Sequence, residues 1–358
     1  MPSPKARRAI LRIIPFGMLW LVFSMVYTLL ERGLLGNLHY YPSTGNTYVF
    51  ARNIFMIPLL ALITGTSIGV LEIFYFSKWF IKKSFTKKIL YKSLIYLVIV
   101  LLFLVLTFIT TANFAITRKD IWSGIWAFFT DYSLLSVLIY IACIIVVTQF
   151  YTEVSESIGT AVLANFFLGK YHRPVEEERI FMFLDMRSST EIAEKLGHVK
   201  YFEMLKEYFS DLSEPVIDYG GEIYQYAGDE MIVSWKLKNG LKNNNCIRCF
   251  FAMKESINKK ADKYKEKFGV LPQFKAGFHY GKVTTGEIGV LKKEIIFTGD
   301  VLNTTARIQG LCNQLNVDIL ISDALIKKMD LDPSFQITSL GETQLRGRGE
   351  KIELFAIS

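Results

Sequence analysis

Four stretches within the first 150 residues are each apolar for about the twenty residues an α-helix needs to cross a hydrocarbon layer, at about 9–30, 48–76, 89–114 and 132–150. The first contains FGMLWLVFSMVYTLL and the third LIYLVIVLLFLVLTFIT. Neither reads as a surface helix. The first also lacks a small-residue cleavage site and is long for a signal-peptide core, so it is read as a retained anchor. The second carries Arg52, Asn53 and Pro58 at one end and Glu72 at the other. Charged groups within a turn or two of a span end snorkel to the interface, and that is the expectation for Glu72. The alternative is that Glu72, with Asn53, lines a ligand or ion site inside the bundle.

The charge pattern supports the same division. Of 41 Lys and Arg and 33 Asp and Glu, the first 150 residues hold 14 basic and 4 acidic, leaving 27 and 29 beyond. The basic excess flanks apolar runs, where it meets anionic lipid head groups, and nucleic acid is not expected as a partner. Lys5, Arg7, Arg8 and Arg12 precede the first span, and Lys78, Lys82, Lys83, Lys87, Lys88 and Lys92 crowd the link between spans two and three. The positive-inside rule then puts the N-terminus, that link and everything after residue 150 in the cytoplasm, in a multi-pass protein of the inner (plasma) membrane. The cysteines, Cys143, Cys246, Cys249 and Cys312, are too few and scattered for a disulfide framework. Cys246 and Cys249 have no companion pair at a zinc spacing and are read as buried structural thiols.

Residues 151–177 are expected to form a helical connector. Val154, Ile158, Ala161, Val162 and Phe166 make an apolar stripe that suits a dimer seam, and Pro174 with Glu176–Glu178 marks its end. From 178 to 358 the pattern becomes short strands alternating with helices. IFMFLD reads as a buried strand, the segment 190–219 as helical with a break, and GEIYQYAGDEMIVSW as a hairpin turning at Gly228-Asp229. A charged helix near 241–267 follows, then FKAGFHYG, KVTTGEIG and EIIFT as strands, a helix at about 300–312 and a closing strand pair. The expectation is an α+β domain with helices on one sheet face, following an all-α bundle of four membrane helices.

Asp185 ends a strand, and Asp229 sits in the turn of a hairpin expected beside it. Two carboxylates at neighbouring strand ends can hold two Mg²⁺ (or Mn²⁺) ions and leave coordination positions for phosphate oxygens. Directly after Asp185, the run Met186-Arg187-Ser188-Ser189-Thr190 leads into a helix start, whose unpaired N–H groups and dipole favour a triphosphate at Ser188, Ser189 and Thr190.

These residues resemble the class III adenylyl and guanylyl cyclase catalytic domain, with four motifs in order. Phe183-Leu184-Asp185-Met186-Arg187-Ser188-Ser189-Thr190 is similar to its first metal-aspartate motif, with Ser188-Ser189 where Gly-Phe is usual. Tyr226-Ala227-Gly228-Asp229 resembles the second. Gly299-Asp300-Val301-Leu302-Asn303-Thr304-Thr305-Ala306-Arg307 resembles its Gly…Asn-x-x-x-Arg helix, and Leu345-Arg346-Gly347-Arg348-Gly349 its basic-Gly motif. The resemblance implies a ferredoxin-like βαββαβ core with additional strands. It implies metal binding by Asp185 and Asp229, orientation of the ribose by Asn303, stabilisation of the transferring phosphate by Arg307, and contact of Arg346 with the terminal phosphates. It also implies a homodimer in which each site draws its aspartates from one chain and its Asn/Arg pair from the other.

The base-selecting positions of that family fall on Gln225, where adenylyl members commonly have Lys, and on Ile296, where Asp or Thr is common. A Gln amide can pair with adenine or, turned over, with guanine, and Ile296 offers no hydrogen bond. The expected activity is conversion of ATP to 3′,5′-cyclic AMP and pyrophosphate by two-metal phosphoryl transfer, with a guanylate or pyrimidine nucleotide cyclase as the alternative. A silent membrane receptor that keeps the fold for dimerisation is the alternative of a different class. A diguanylate cyclase would share the Gly228-Asp229-Glu230 turn but has no use for the Asn303/Arg307 helix. A transporter would need polar residues inside several spans.

Overall fold

The computed structural model describes residues 3–40, 47–76, 79–80, 83–111, 126, 130, 132–159, 162–163, 165, 169–291, 293–345, 349 and 351–358. It divides into two compact units, Ala6–Ala164 and Asn165–Ser358, the latter taking in the extreme N-terminus.

The first unit contains the helices α1 (Pro4–Leu35), α2 (Phe50–Leu71), α3 (Phe85–Thr111) and α4 (Tyr132–Ile158). Among the described residues, Pro4–Leu35, Phe50–Phe76 and Leu134–Ile158 are long and apolar enough to cross a membrane. The span expected at 89–114 falls on α3, with residues 112–114 outside the described residues. Phe55, Leu60, Leu94 and Leu102 are exposed, as on helices solvated by lipid chains. Small residues decide where α1 and α2 meet. A Cβ on Gly65 would stand 2.6 Å from the Trp20 ring, and one on Gly69 3.0 Å from Phe16, so this Gly-x-x-x-Gly pair lets the helices approach closely.

The structure corrects the expectation for Glu72. Its side chain does not snorkel outward: it is fully buried in a single π-helical turn, Glu72–Phe76, that ends α2. Lys92 Nζ of α3 lies 2.5 Å from Glu72 Oε1 and 2.9 Å from Glu153 Oε1 of α4, and the Tyr96 hydroxyl donates to Glu72 Oε2 at 2.7 Å. Lys88 reaches Glu153 at 3.3 Å. Asn53 stands at the far end of α2, about 28 Å from Glu72 at 1.5 Å per residue, so the two do not share a site. Because α4 continues through Ile158, the last span and the start of the expected connector are one helix. Ala161 and Phe166 lie outside the described residues.

The second unit is built on one sheet, with strands β1 (Val175–Met186), β2 (Glu222–Ala227), β3 (Glu230–Lys236), β4 (Phe274–Ile288), β5 (Glu294–Thr298), β6 (Ile319–Ser322), β7 (Ile337–Gln344) and β8 (Lys351–Ile357). Its order is β2-β3-β1-β4-β6-β8-β7, with β5 pairing to β4 off that path. β4 is a single strand where two were expected, because β1 begins at Val175 and pairs with it over twelve residues, from Val175↔Thr285 to Met186↔Phe274. The acidic run Glu176–Glu178 therefore lies in β1 rather than closing a helix. The helices of this unit include α5 (Ser189–Leu196), α6 (His198–Asp218), α7 (Asn245–Asn258), α8 (Ala261–Phe268) and α9 (Asp300–Gly310). The charged helix expected over 241–267 is thus two helices, broken at Lys259-Lys260.

Alternation along β1 sorts the core into two faces. Ile180, Met182, Leu184 and Met186 pack with Met204, Tyr208 and Leu212 of α6 and with Cys246, Cys249 and Phe250 of α7. Phe181 and Phe183 point the other way, toward Val301 of α9 and Phe297 of β5. The sequence predicts the helices on one sheet face, but the structure divides them: α9 covers the face opposite α6 and α7. Gly277 in β4 permits its close approach. A Cβ there would meet the backbone nitrogen of Gln309 at 2.4 Å, so only glycine lets α9 lie directly on the strand.

Candidate active site

Asp185 has odd parity in β1, so it shares the α9 face with Phe181 and Phe183. Its cross-strand neighbours are Glu230 on β3 and Lys275 on β4. Lys275, 7% exposed in an apolar strand, reaches Asp185 Oδ2 at 3.2 Å. Gln309 of α9 donates its amide to the same oxygen at 3.1 Å.

Asp229 follows Gly228 in the β2–β3 turn, where φ of +65° suits glycine, and the register Asp185↔Glu230 sets this turn beside the end of β1. The two carboxylates are close enough to act on one another. Burial first, then the charge of Asp229, raises the Asp185 carboxyl above its usual range despite Lys275. Burial and both aspartates push Glu230 up to about 7. A half-buried pair of like charges in that condition fits a divalent cation, which would relieve the repulsion. Among the described residues no group of three or more His, Cys, Asp or Glu side chains gathers as a metal cage. A cation held here by two carboxylates would therefore keep positions open for other oxygen ligands.

Ser188, in the left-handed conformation at φ 53°, stands at the N-cap of α5, and Ser189 and Thr190 form its first turn. The helix start is thus where the sequence puts it, with its N-cap two residues beyond the β1 end. Arg187 is turned away from it, donating to Asn313, to the Val317 carbonyl and to Asp318.

Helix α9 has two chemically different sides. Val301, Thr304, Thr305, Ile308 and Gln309 are buried against the sheet, whereas Asn303 is exposed and Arg307 half-exposed. At 100° per residue, Asn303 and Arg307 lie 40° apart, and Gln309 lies about 200° beyond Arg307. The structure therefore brings Asp185 and Asp229 together, with Gln309 rather than Asn303 or Arg307 as the α9 group touching Asp185. Gln225 is exposed on β2 opposite Ile232, on this same sheet face. Ile296 is half-buried on β5, whose neighbouring Phe297 packs on Tyr224 at 4.8 Å. Arg346 lies outside the described residues. Sequence reasoning missed Lys275 and Gln309. The available signals were a lone cation within a buried strand and a glutamine on the inward side of the Asn303/Arg307 helix.

Proteins similar to this chain carry cyclase names. The chain is 35% identical over 224 residues to adenylate cyclase 2 of Rhizobium meliloti (strain 1021), spanning 63% of this chain and 62% of that one. It is 25% identical over 183 residues to the adenylate cyclase of Anabaena cylindrica, covering 49% of this chain and 36% of that protein. The chain thus spans less than two thirds of either relative. In fold it is similar to a bacterial light-regulated adenylyl cyclase of known structure, with a TM-score of 0.55 and 22% identity over 64% of this chain and 67% of that one. Residues 173–358 match the adenylate and guanylate cyclase catalytic domain, and the chain belongs to that family.

Proposed function

We propose that this protein is a membrane-bound adenylate cyclase, converting ATP to 3′,5′-cyclic AMP and pyrophosphate at the interface of a homodimer. The observation that carries the reading is the division of α9. One chain's Asp185 meets Gln309, while Asn303 and Arg307 face outward, where a second chain would supply the matching carboxylates. ATP is chosen because relatives 35% and 25% identical to the chain over the matched residues are named adenylate cyclases.

Asp185 and Asp229 would hold two Mg²⁺ or Mn²⁺ ions, which when bound supply Lewis acidity toward the triphosphate and the attacking oxygen. The chain's own groups do the rest. Asn303 orients the ribose so that its 3′-oxygen lies in line with the bond from the α-phosphorus to the leaving pyrophosphate. Arg307 offers a planar guanidinium fork to the oxygens on which charge grows as the new bond forms and the old one breaks. The first N–H groups of α5 at Ser188, Ser189 and Thr190, with Arg346, receive the remaining phosphates. Gln225 donates to adenine N1 and accepts from its amino group, and Ile296 gives the base an apolar wall. The four helices anchor the chain in the inner (plasma) membrane with the N-terminus and the catalytic domain in the cytoplasm. The ends joined by the Glu72–Lys92–Glu153 cluster are the ones that the positive-inside rule assigns to the cytoplasm, which supports this orientation.

The test is mass spectrometry of the products after the full-length chain in membranes is given ATP, GTP, CTP and UTP separately with Mg²⁺ or Mn²⁺. Cyclic AMP from ATP is expected. A cyclic product from another base would overturn the choice of substrate, and none from any would leave the silent receptor.

A further inference from the structure

The site holds one contact that the proposed chemistry leaves unused. Gln309 is only 8% exposed, and its amide donates to Asp185 Oδ2, the oxygen that Lys275 also reaches. With both donors on Oδ2, the other carboxylate oxygen is left to be shared with a cation beside Asp229. The two donors are not equivalent. Lys275 approaches on a flexible stem and brings a full charge, whereas Gln309 presents a planar amide from a helix whose backbone rests on Gly277. A second ammonium at this place would cancel the anionic charge that a divalent ion needs. A neutral amide fixes the carboxylate and leaves that charge intact.

We propose that Gln309 is the positioning residue of the metal carboxylate: it locks Asp185 in the orientation that binds the cation, acting within its own chain. The same helix lends Asn303 and Arg307 to the partner's site. The proposal rests on the reading of Asp185 and Asp229 as a divalent-cation site in a shared-site dimer.

The experiment has two arms. In the first, Mn²⁺ alone is titrated into the purified full-length chain in detergent and followed by electron paramagnetic resonance, with Gln309→Met keeping the shape of the side chain but no donor. Affinity is expected to fall at least about fivefold, the effect of one hydrogen bond of ordinary strength. Wild-type binding no better than that of Asp185→Ala would overturn the cation site and this proposal together. Binding through Asp185 that Gln309→Met leaves unchanged would overturn the role of Gln309 alone.

In the second arm, Asp229→Ala and Arg307→Ala chains are co-expressed. Their one working site takes its carboxylates from the Arg307→Ala chain and its Asn/Arg pair from the Asp229→Ala chain. Gln309→Met in the carboxylate-giving chain should raise the Mn²⁺ needed for half-maximal rate by the same factor, with the rate at saturating metal kept within about twofold. Placed in the other chain, it should leave the metal requirement unmoved. Equal effects from both placements would show a general loosening of α9 and overturn the proposal.

Discussion

At the scale of single residues, Gly277 and Asp318 both act through what surrounds them. Gly277 is the floor on which α9 rests, with the Gln309 backbone nitrogen 2.4 Å from where a Cβ would stand. Gly277→Ala must push the helix off β4, and a loss of about 3 kcal/mol is expected in chemical denaturation; a change under about 0.5 kcal/mol would show that α9 shifts freely. Asp318 is held by Lys254 at 2.7 Å and Arg187 at 2.9 Å. Burial alone would raise its carboxyl, but these two cations outweigh it and leave the value below normal. A depressed carboxyl stabilises the fold above its unfolded value, about 3.9, and that contribution disappears as pH falls through the lower folded value. Asp318→Asn should therefore lower Tm at pH 7, with the gap to wild type closing toward pH 3. A gap independent of pH would refute the assignment. None of this was readable in the chain, because Gly277 sits in an ordinary strand pattern and Asp318 lies more than sixty residues from either cation.

At the scale of elements, the contrast lies between α9, whose role follows from spacing, and α2, whose end does not. Asn303 and Arg307 are one turn apart in any helix, so their common side could be foreseen. Glu72 could not be placed, since an acid at a span end snorkels unless a neighbouring helix supplies a cation at the same depth. Here α3 supplies one: Lys92 is 2% exposed and serves both Glu72 and Glu153. Lys92→Met leaves two buried carboxylates without their shared cation and should cost about 3–5 kcal/mol, read as early thermal aggregation of the detergent-solubilised chain. Lys88→Met, at a partly exposed position, should cost under about 1 kcal/mol. Equal losses from the two would mean that burial at Lys92 has no special weight.

At the scale of the whole molecule, the proposed dimer makes a quantitative demand. If each site needs carboxylates from one chain and the Asn/Arg pair from the other, Asp229→Ala and Arg307→Ala chains are inactive separately. Co-expressed and paired at random, half of the dimers carry one working site of two, so activity should return to about a quarter of wild type. No return of activity would place both halves of the site within one chain.

Sequence alone determined the division of the chain, because apolar length and charge asymmetry are local quantities that no later packing alters. It also located the motifs from which the proposed site residues are drawn, since strand ends, a Gly-Asp turn and one helical turn are short-range geometry. The tertiary structure decided what each motif faces. Register set Asp185 against Lys275 and Glu230, the missing side chain at Gly277 let α9 lie close on the opposite face of the sheet, and helix depth paired Glu72 with Lys92. These contacts join residues far apart in the chain, and their energies depend on burial and distance, which appear only once the elements have packed.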